Sequence, residues 1–152
     1  MLTTASRHDA AAAPAMLMKS QHRDIVDALS RARLLYDERS AIPLLIEAVD
    51  EIFEAARAHF RHEENLMELQ GTEPPGAHRE LHKHMLYHIV SMRRHLECFD
   101  RTKLSSQLRF LGRWMNAHIL DEVLKRQACG HGTIQALSAS SRLPAGSAKW
   151  TI

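Results

Sequence analysis

Apolar residues recur along four stretches of the chain at alternating three- and four-residue steps, the period that keeps side chains on one face of a helix. These stretches predict helices over about 15–37, 41–69, 76–98 and 102–127, and no stretch shows the every-second-residue alternation of a strand. Pro43 falls in the first turn of the second stretch behind Ser40, where a missing N–H does little harm, and Glu73-Pro-Pro-Gly76 separates the second from the third. Asp100 and Thr102 are placed to cap the fourth, and Gly130 and Gly132 close it. The organisation expected is a flexible N-terminus over 1–13, a bundle over 14–128 and a flexible Ser-, Ala-, Gly- and Pro-containing tail over 129–152. A folded body of roughly 115 residues with short loops predicts an all-α, up-down-up-down antiparallel four-helix bundle.

Each predicted helix has an inward seam. The first holds Ala15, Met18, His22, Ile25, Leu29, Ala32 and Tyr36; the second Leu45, Val49, Ile52, Ala56, His59, Glu63 and Leu66. The third holds His78, His82, Met85, Ile89, Met92, Leu96 and Phe99; the fourth Leu104, Leu108, Leu111, Met115, His118 and Glu122. Polar residues interrupt all four. In an antiparallel bundle the start of helices one and three and the end of helices two and four share one end, which is where His22, His59, Glu63, His78, His82 and His118 fall. At 1.5 Å per residue they lie within two to three turns of that end and can converge on one layer.

A lone histidine on an apolar face ordinarily satisfies itself with a backbone or side-chain hydrogen bond. Five imidazoles and a carboxylate at a common depth are a different matter, because burying them without partners would cost several kcal/mol of desolvation and a metal ion satisfies them together. His59 with Glu63 and His78 with His82 are i,i+4 pairs whose side chains lie one above the other. Imidazole and carboxylate without thiolate suit iron, zinc or manganese.

Composition narrows the function further. The chain carries 11 histidines, while 20 Lys plus Arg against 18 Asp plus Glu leave a net charge of +2 with the basic residues scattered, so nucleic-acid binding is not expected. Cys98 and Cys129 suggest neither a disulfide framework nor a thiolate site, and no stretch has the length of a membrane span or the apolar core of a secretory signal. A cytoplasmic setting is expected. His62, His84, His88 and His95 fall off the seams and read as surface residues, with a supporting hydrogen bond from His62 or His84 as the alternative.

The ordered set of His59-Phe-Arg-His-Glu63-Glu64-Asn-Leu-Met, His78-Arg-Glu-Leu-His82 and Trp114-Met-Asn-Ala-His118, with Gln21-His22 upstream, resembles bacterial hemerythrin over about residues 15–127. The resemblance implies a hemerythrin-like bundle with two non-haem irons, one held by His78, His82 and His118, the other by His22 and His59, and Glu63 bridging them. It also implies reversible binding of O2 or another small diatomic ligand, for delivery or sensing and not for turnover. Ile25, Leu29, Ile52, Met85, Ile89, Leu111 and Met115 would wall the ligand pocket, with Trp114 as packing. The family's second bridging carboxylate, an aspartate five residues past the last histidine, corresponds here to Val123, which cannot ligate. Of the carboxylates nearby, Asp121 and Glu122, the seam residue Glu122 is the expected substitute, given a small change of helix register. One iron or an incomplete pair is the other outcome. Two further functions stay open: an iron enzyme acting on peroxide, nitric oxide or iron itself, and a metal-free interaction module with a vestigial site.

Overall fold

A computed structural model describes residues 5–71 and 75–130, with side chains described over 16–71 and 76–125. It consists of α1 (Ala5–Asp37), α2 (Ile42–Gln70), α3 (Pro75–Glu97) and α4 (Leu104–Gly130), with no strand among the described residues. α1 packs on α2 and α4, and α3 packs on α2 and α4, so the helices form a square whose diagonal pairs do not meet. This is the expected antiparallel four-helix bundle, and α3 and α4 are the neighbours that approach least closely.

The core follows the seams. Ile25, Leu45, Ile52, Met92, Leu96 and Leu111 are completely buried, and Met18, Ala32, Val49, Ala56, Ile89 and Met115 nearly so. Closing this apolar layer provides the main stabilisation of a bundle whose helices would be marginal alone. At the end remote from the histidines, Arg101 Nη1 donates to the Ser40 carbonyl at 3.0 Å and its guanidinium lies 5.8 Å from the Tyr36 ring centre. The α1–α2 and α3–α4 connections are thereby tied together.

One boundary differs clearly from the sequence-based expectation. α1 begins at Ala5, not near 15, so most of the segment expected to be a flexible 1–13 terminus lies within the helix. Ala10–Ala13 explains the difference: alanine has the best intrinsic helix propensity but contributes no apolar–polar periodicity to read. α2 starts behind Ala41, which makes no side-chain cap hydrogen bond, with Pro43 in the first turn as expected. The tail expected over 129–152 lies outside the described residues beyond Gly130.

Phe99, expected on the third seam, is 80% exposed. α3 stops at Glu97, and Phe99 takes a left-handed φ of 58° while its N–H reaches the Leu96 carbonyl at 2.9 Å and the Asp100 N–H reaches His95 at 2.8 Å. That pair of hydrogen bonds is a Schellman ending, which turns residue 99 away from the seam. The same ending closes α1 with Arg39 at φ 56°. Asp100 then accepts from the Thr102 N–H at 2.9 Å and hydroxyl at 2.6 Å, bonds that hold its carboxyl below the ordinary range and set the entry to α4. A non-glycine residue in this conformation is strained by about 1 kcal/mol. Phe99→Gly should therefore stabilise the chain by up to about 1 kcal/mol in chemical denaturation, since almost no buried contact is lost; a destabilised variant would refute the strain.

Candidate metal centre

The polar interruptions meet. On α2, Glu63 follows His59 by four residues and both are buried, at 5% and 0% exposure. Glu63 Oε2 lies 2.9 Å from His118 Nε2 of α4, 3.3 Å from His82 Nε2 of α3 and 3.9 Å from His59 Nε2. Its other oxygen lies 3.3 Å from His78 Nε2. One carboxylate is therefore surrounded by four imidazoles from three helices.

A second carboxylate enters from α4. Glu122 is buried at 6% exposure, and its Oε2 lies 2.9 Å from His22 Nε2 and 3.5 Å from His59 Nε2. Val123, the next residue, is 37% exposed. One residue is about 100° of helix, so the carboxylate at 122 and the valine at 123 cannot both face the axis. Without any break in α4, the expected substitute carboxylate projects into the cluster.

Two sets of donor atoms lie close enough to surround an ion. Glu63, His78, His82 and His118 form one, and His59, Glu63, His118 and Glu122 the other, each with ligand atoms within 4.8 Å of one another. Glu63 and His118 belong to both. His22 joins the second set through Glu122 and stands edge-on to His59, with ring centres 4.8 Å apart. All seven residues singled out from the sequence thus lie in one layer.

Electrostatics set the protonation of the cluster. Burial pushes the His59 imidazole down to about 3, against the opposing pull of Glu63, with His22, His118 and His82 adding repulsion to its protonated form. Burial would raise Glu63, but the hydrogen bond with His118 at 2.9 Å and the nearby imidazole of His82 outweigh it and hold the carboxyl well below the usual range. His59 is left neutral, and neither of its buried ring nitrogens makes a hydrogen bond among the described residues; nor does His82 Nε2. Buried imidazole nitrogens of this kind incur a desolvation penalty that a divalent cation would remove. Nitrogen and carboxylate oxygen donors without a thiolate fit iron.

The layer beneath the cluster is apolar, with Ile25, Ile52, Met85, Ile89, Leu111 and Met115 buried and Leu29 partly so. Three contacts to the cluster emerge only from the structure. Phe60, off the seam, stacks on His82 with ring centres 4.0 Å apart and planes at 6°. Trp114, expected as packing, stacks on His118 at 4.9 Å and 9°. Glu64 Oε1 lies 2.7 Å from His82 Nδ1. The signal for Glu64 was its place directly after a ligand candidate, but a seam reading assigns it outward. Among the described residues, no hydrogen bond joins His62 or His84 to Glu63, His82 or His118. His88, expected at the surface, is half-buried against Phe110 at 4.9 Å, and burial pushes its imidazole down.

A helical bundle with a buried histidine–carboxylate cluster in one end layer defines a class of metal-binding four-helix proteins. The chain matches the family described as the Hemerythrin HHE cation binding domain over residues 13–124. It belongs to the hemerythrin family. It is also 28% identical over 106 residues to a bacteriohemerythrin of Stenotrophomonas maltophilia, covering 68% of this chain and 66% of that protein, just under two thirds of the relative's length. No solved structure matches it. Among the described residues no helix is long and apolar enough to cross a membrane.

Proposed function

We propose that this chain binds two non-haem irons in the end layer and takes up O2 reversibly there, for delivery or sensing. The observation that carries the reading is the sharing of Glu63 between two donor sets, with Glu122 turned inward beside His22 and His59. His78, His82 and His118 would hold one iron, His22, His59 and Glu122 the other, and Glu63 would join them. Ferrous iron, when bound, would supply the redox chemistry that uptake of a diatomic ligand needs. The chain's own residues do the rest: Glu63 and Glu122 balance the cationic charge, the imidazoles complete the donor set, and the apolar layer from Ile25 to Met115 excludes water that would promote loss of the ferrous state. A reducing, cytoplasmic setting suits both the ferrous state and the exposed thiol of Cys98.

Anaerobic loading with Fe(II), followed by elemental analysis and optical spectra before and after O2, tests the reading. Two irons per chain and an absorption band that appears with O2 and disappears on its removal are expected. No bound iron, or irreversible oxidation without such a band, overturns it, and steady turnover of peroxide or nitric oxide with a reductant would establish an enzyme instead. Glu122→Ala should reduce the count to one iron while the set around His78, His82 and His118 stays loaded. Adding Val123→Asp to that variant should not restore the second, because residue 123 lies about 100° around the helix from Glu122, which is the position turned to the cluster; restoration would show that α4 turns to present residue 123.

A further inference from the structure

We propose that Glu64 is a positioning residue for the centre: it fixes the tautomer and ring orientation of His82 so that Nε2 is presented to the metal. This rests on the iron-binding reading above. His59 and His82 are equally removed from solvent, at 0% and 1% exposure, yet their surroundings differ. Neither ring nitrogen of His59 has a hydrogen-bond partner among the described residues. His82 has Glu64 Oε1 at 2.7 Å from Nδ1 on one side and Glu63 Oε2 at 3.3 Å from Nε2 on the other. Consecutive glutamates of α2 therefore clasp the two edges of a single imidazole on α3.

A neutral imidazole carries one N–H, and its position decides whether the ring can ligate. With the proton on Nδ1 it is donated to the Glu64 carboxylate, leaving the Nε2 lone pair directed into the cluster. The opposite tautomer would set a lone pair against Glu64 and turn an N–H toward the metal position. Glu64 is itself held in place: Arg79 Nε lies 3.6 Å from its Oε2, and the same guanidinium pairs with Glu68. Phe60, stacked on the face of His82, opposes any flip of the ring. Such carboxylate–histidine–metal arrangements raise ligand basicity and fix ring orientation.

The test compares Glu64→Ala and Glu64→Gln in the full chain, with two readouts. Fe(II) affinity, measured anaerobically against a competing chelator, should fall ten- to hundredfold in Glu64→Ala. Glu64→Gln, whose amide oxygen still accepts from Nδ1–H, should recover most of the loss. In the metal-free chain, histidine nitrogen NMR should find the Nδ1–H tautomer at His82 in wild type and Glu64→Gln but not in Glu64→Ala, a change that a merely structural role would not produce. Unchanged Fe(II) affinity or an unchanged His82 tautomer in Glu64→Ala overturns the proposal. If the wild type itself binds no Fe(II), the iron reading fails, and the metal-free tautomer still decides whether Glu64 orients His82.

Discussion

Glu63→Ala is expected to abolish stable iron binding, the largest effect of any single substitution at the cluster. Glu63 is the carboxylate that reaches His59, His78, His82 and His118 together, so its loss removes a donor from both sets at once. What remains on the α3 side is three imidazoles with no negative charge to offset a divalent cation in a buried layer, where charge is poorly screened. A metal that binds only the native state stabilises it by about 2.7 kcal/mol at a hundredfold excess over its Kd. Wild type should show this as a rise in thermal unfolding temperature on anaerobic Fe(II) addition, and Glu63→Ala should show none while its metal-free circular dichroism stays helical. An equal rise in the variant would remove Glu63 from the centre. Glu122→Ala, which touches one donor set, should retain part of the rise.

The seams were legible in the sequence because burial in a bundle obeys one geometric rule. Met18 to Ala32, Leu45 to Glu63, His82 to Leu96 and Leu104 to Glu122 are buried at most of the positions that a three- and four-residue step selects. The depth at which histidines replaced apolar residues on these seams was legible for the same reason, since short loops force the helices to alternate. Phe99 was misread because periodicity is blind to where a helix stops: the Schellman ending after Leu96 takes a backbone conformation that phenylalanine does not announce. Ala5 to Ala13 escaped because propensity without amphipathicity leaves no pattern.

Contacts from beside the seam were the least legible. Glu64 and Phe60 each sit about 100° from a seam residue of α2, an angle that a two-class apolar–polar reading counts as outside. They reach His82 because α2 and α3 pack closely enough for their flanking positions to meet. The exchange between Glu122 and Val123 was half legible. Seam arithmetic pointed Glu122 inward, and in an unbroken α4 its carboxylate lies 2.9 Å from His22 and 3.5 Å from His59, a reach to which the longer glutamate side chain contributes.

Acidification of the metal-free chain is expected to destabilise it steeply below pH 6.5, and His59 is the residue chiefly responsible. In the unfolded chain its imidazole titrates near the ordinary 6.5, whereas in the fold burial keeps it neutral down to about 3. Between those values the unfolded state binds a proton that the folded state refuses, so stability falls as pH falls, by about 1.4 kcal/mol per pH unit for one such group. Glu63 acts in the same direction at lower pH: its folded carboxyl stays ionised below the ordinary 4.5, so its contribution, complete above that value, is lost as the pH drops further. Chemical denaturation of the metal-free protein at pH 7, 6, 5 and 4 should show this slope, and His59→Gln should flatten it by about one proton's worth between pH 6 and 4. Coincident pH profiles for the two proteins would show that His59 takes up its proton in the folded state. With Fe(II) bound the fall should begin at lower pH, because ligation holds the imidazoles neutral and protons must displace the metal first.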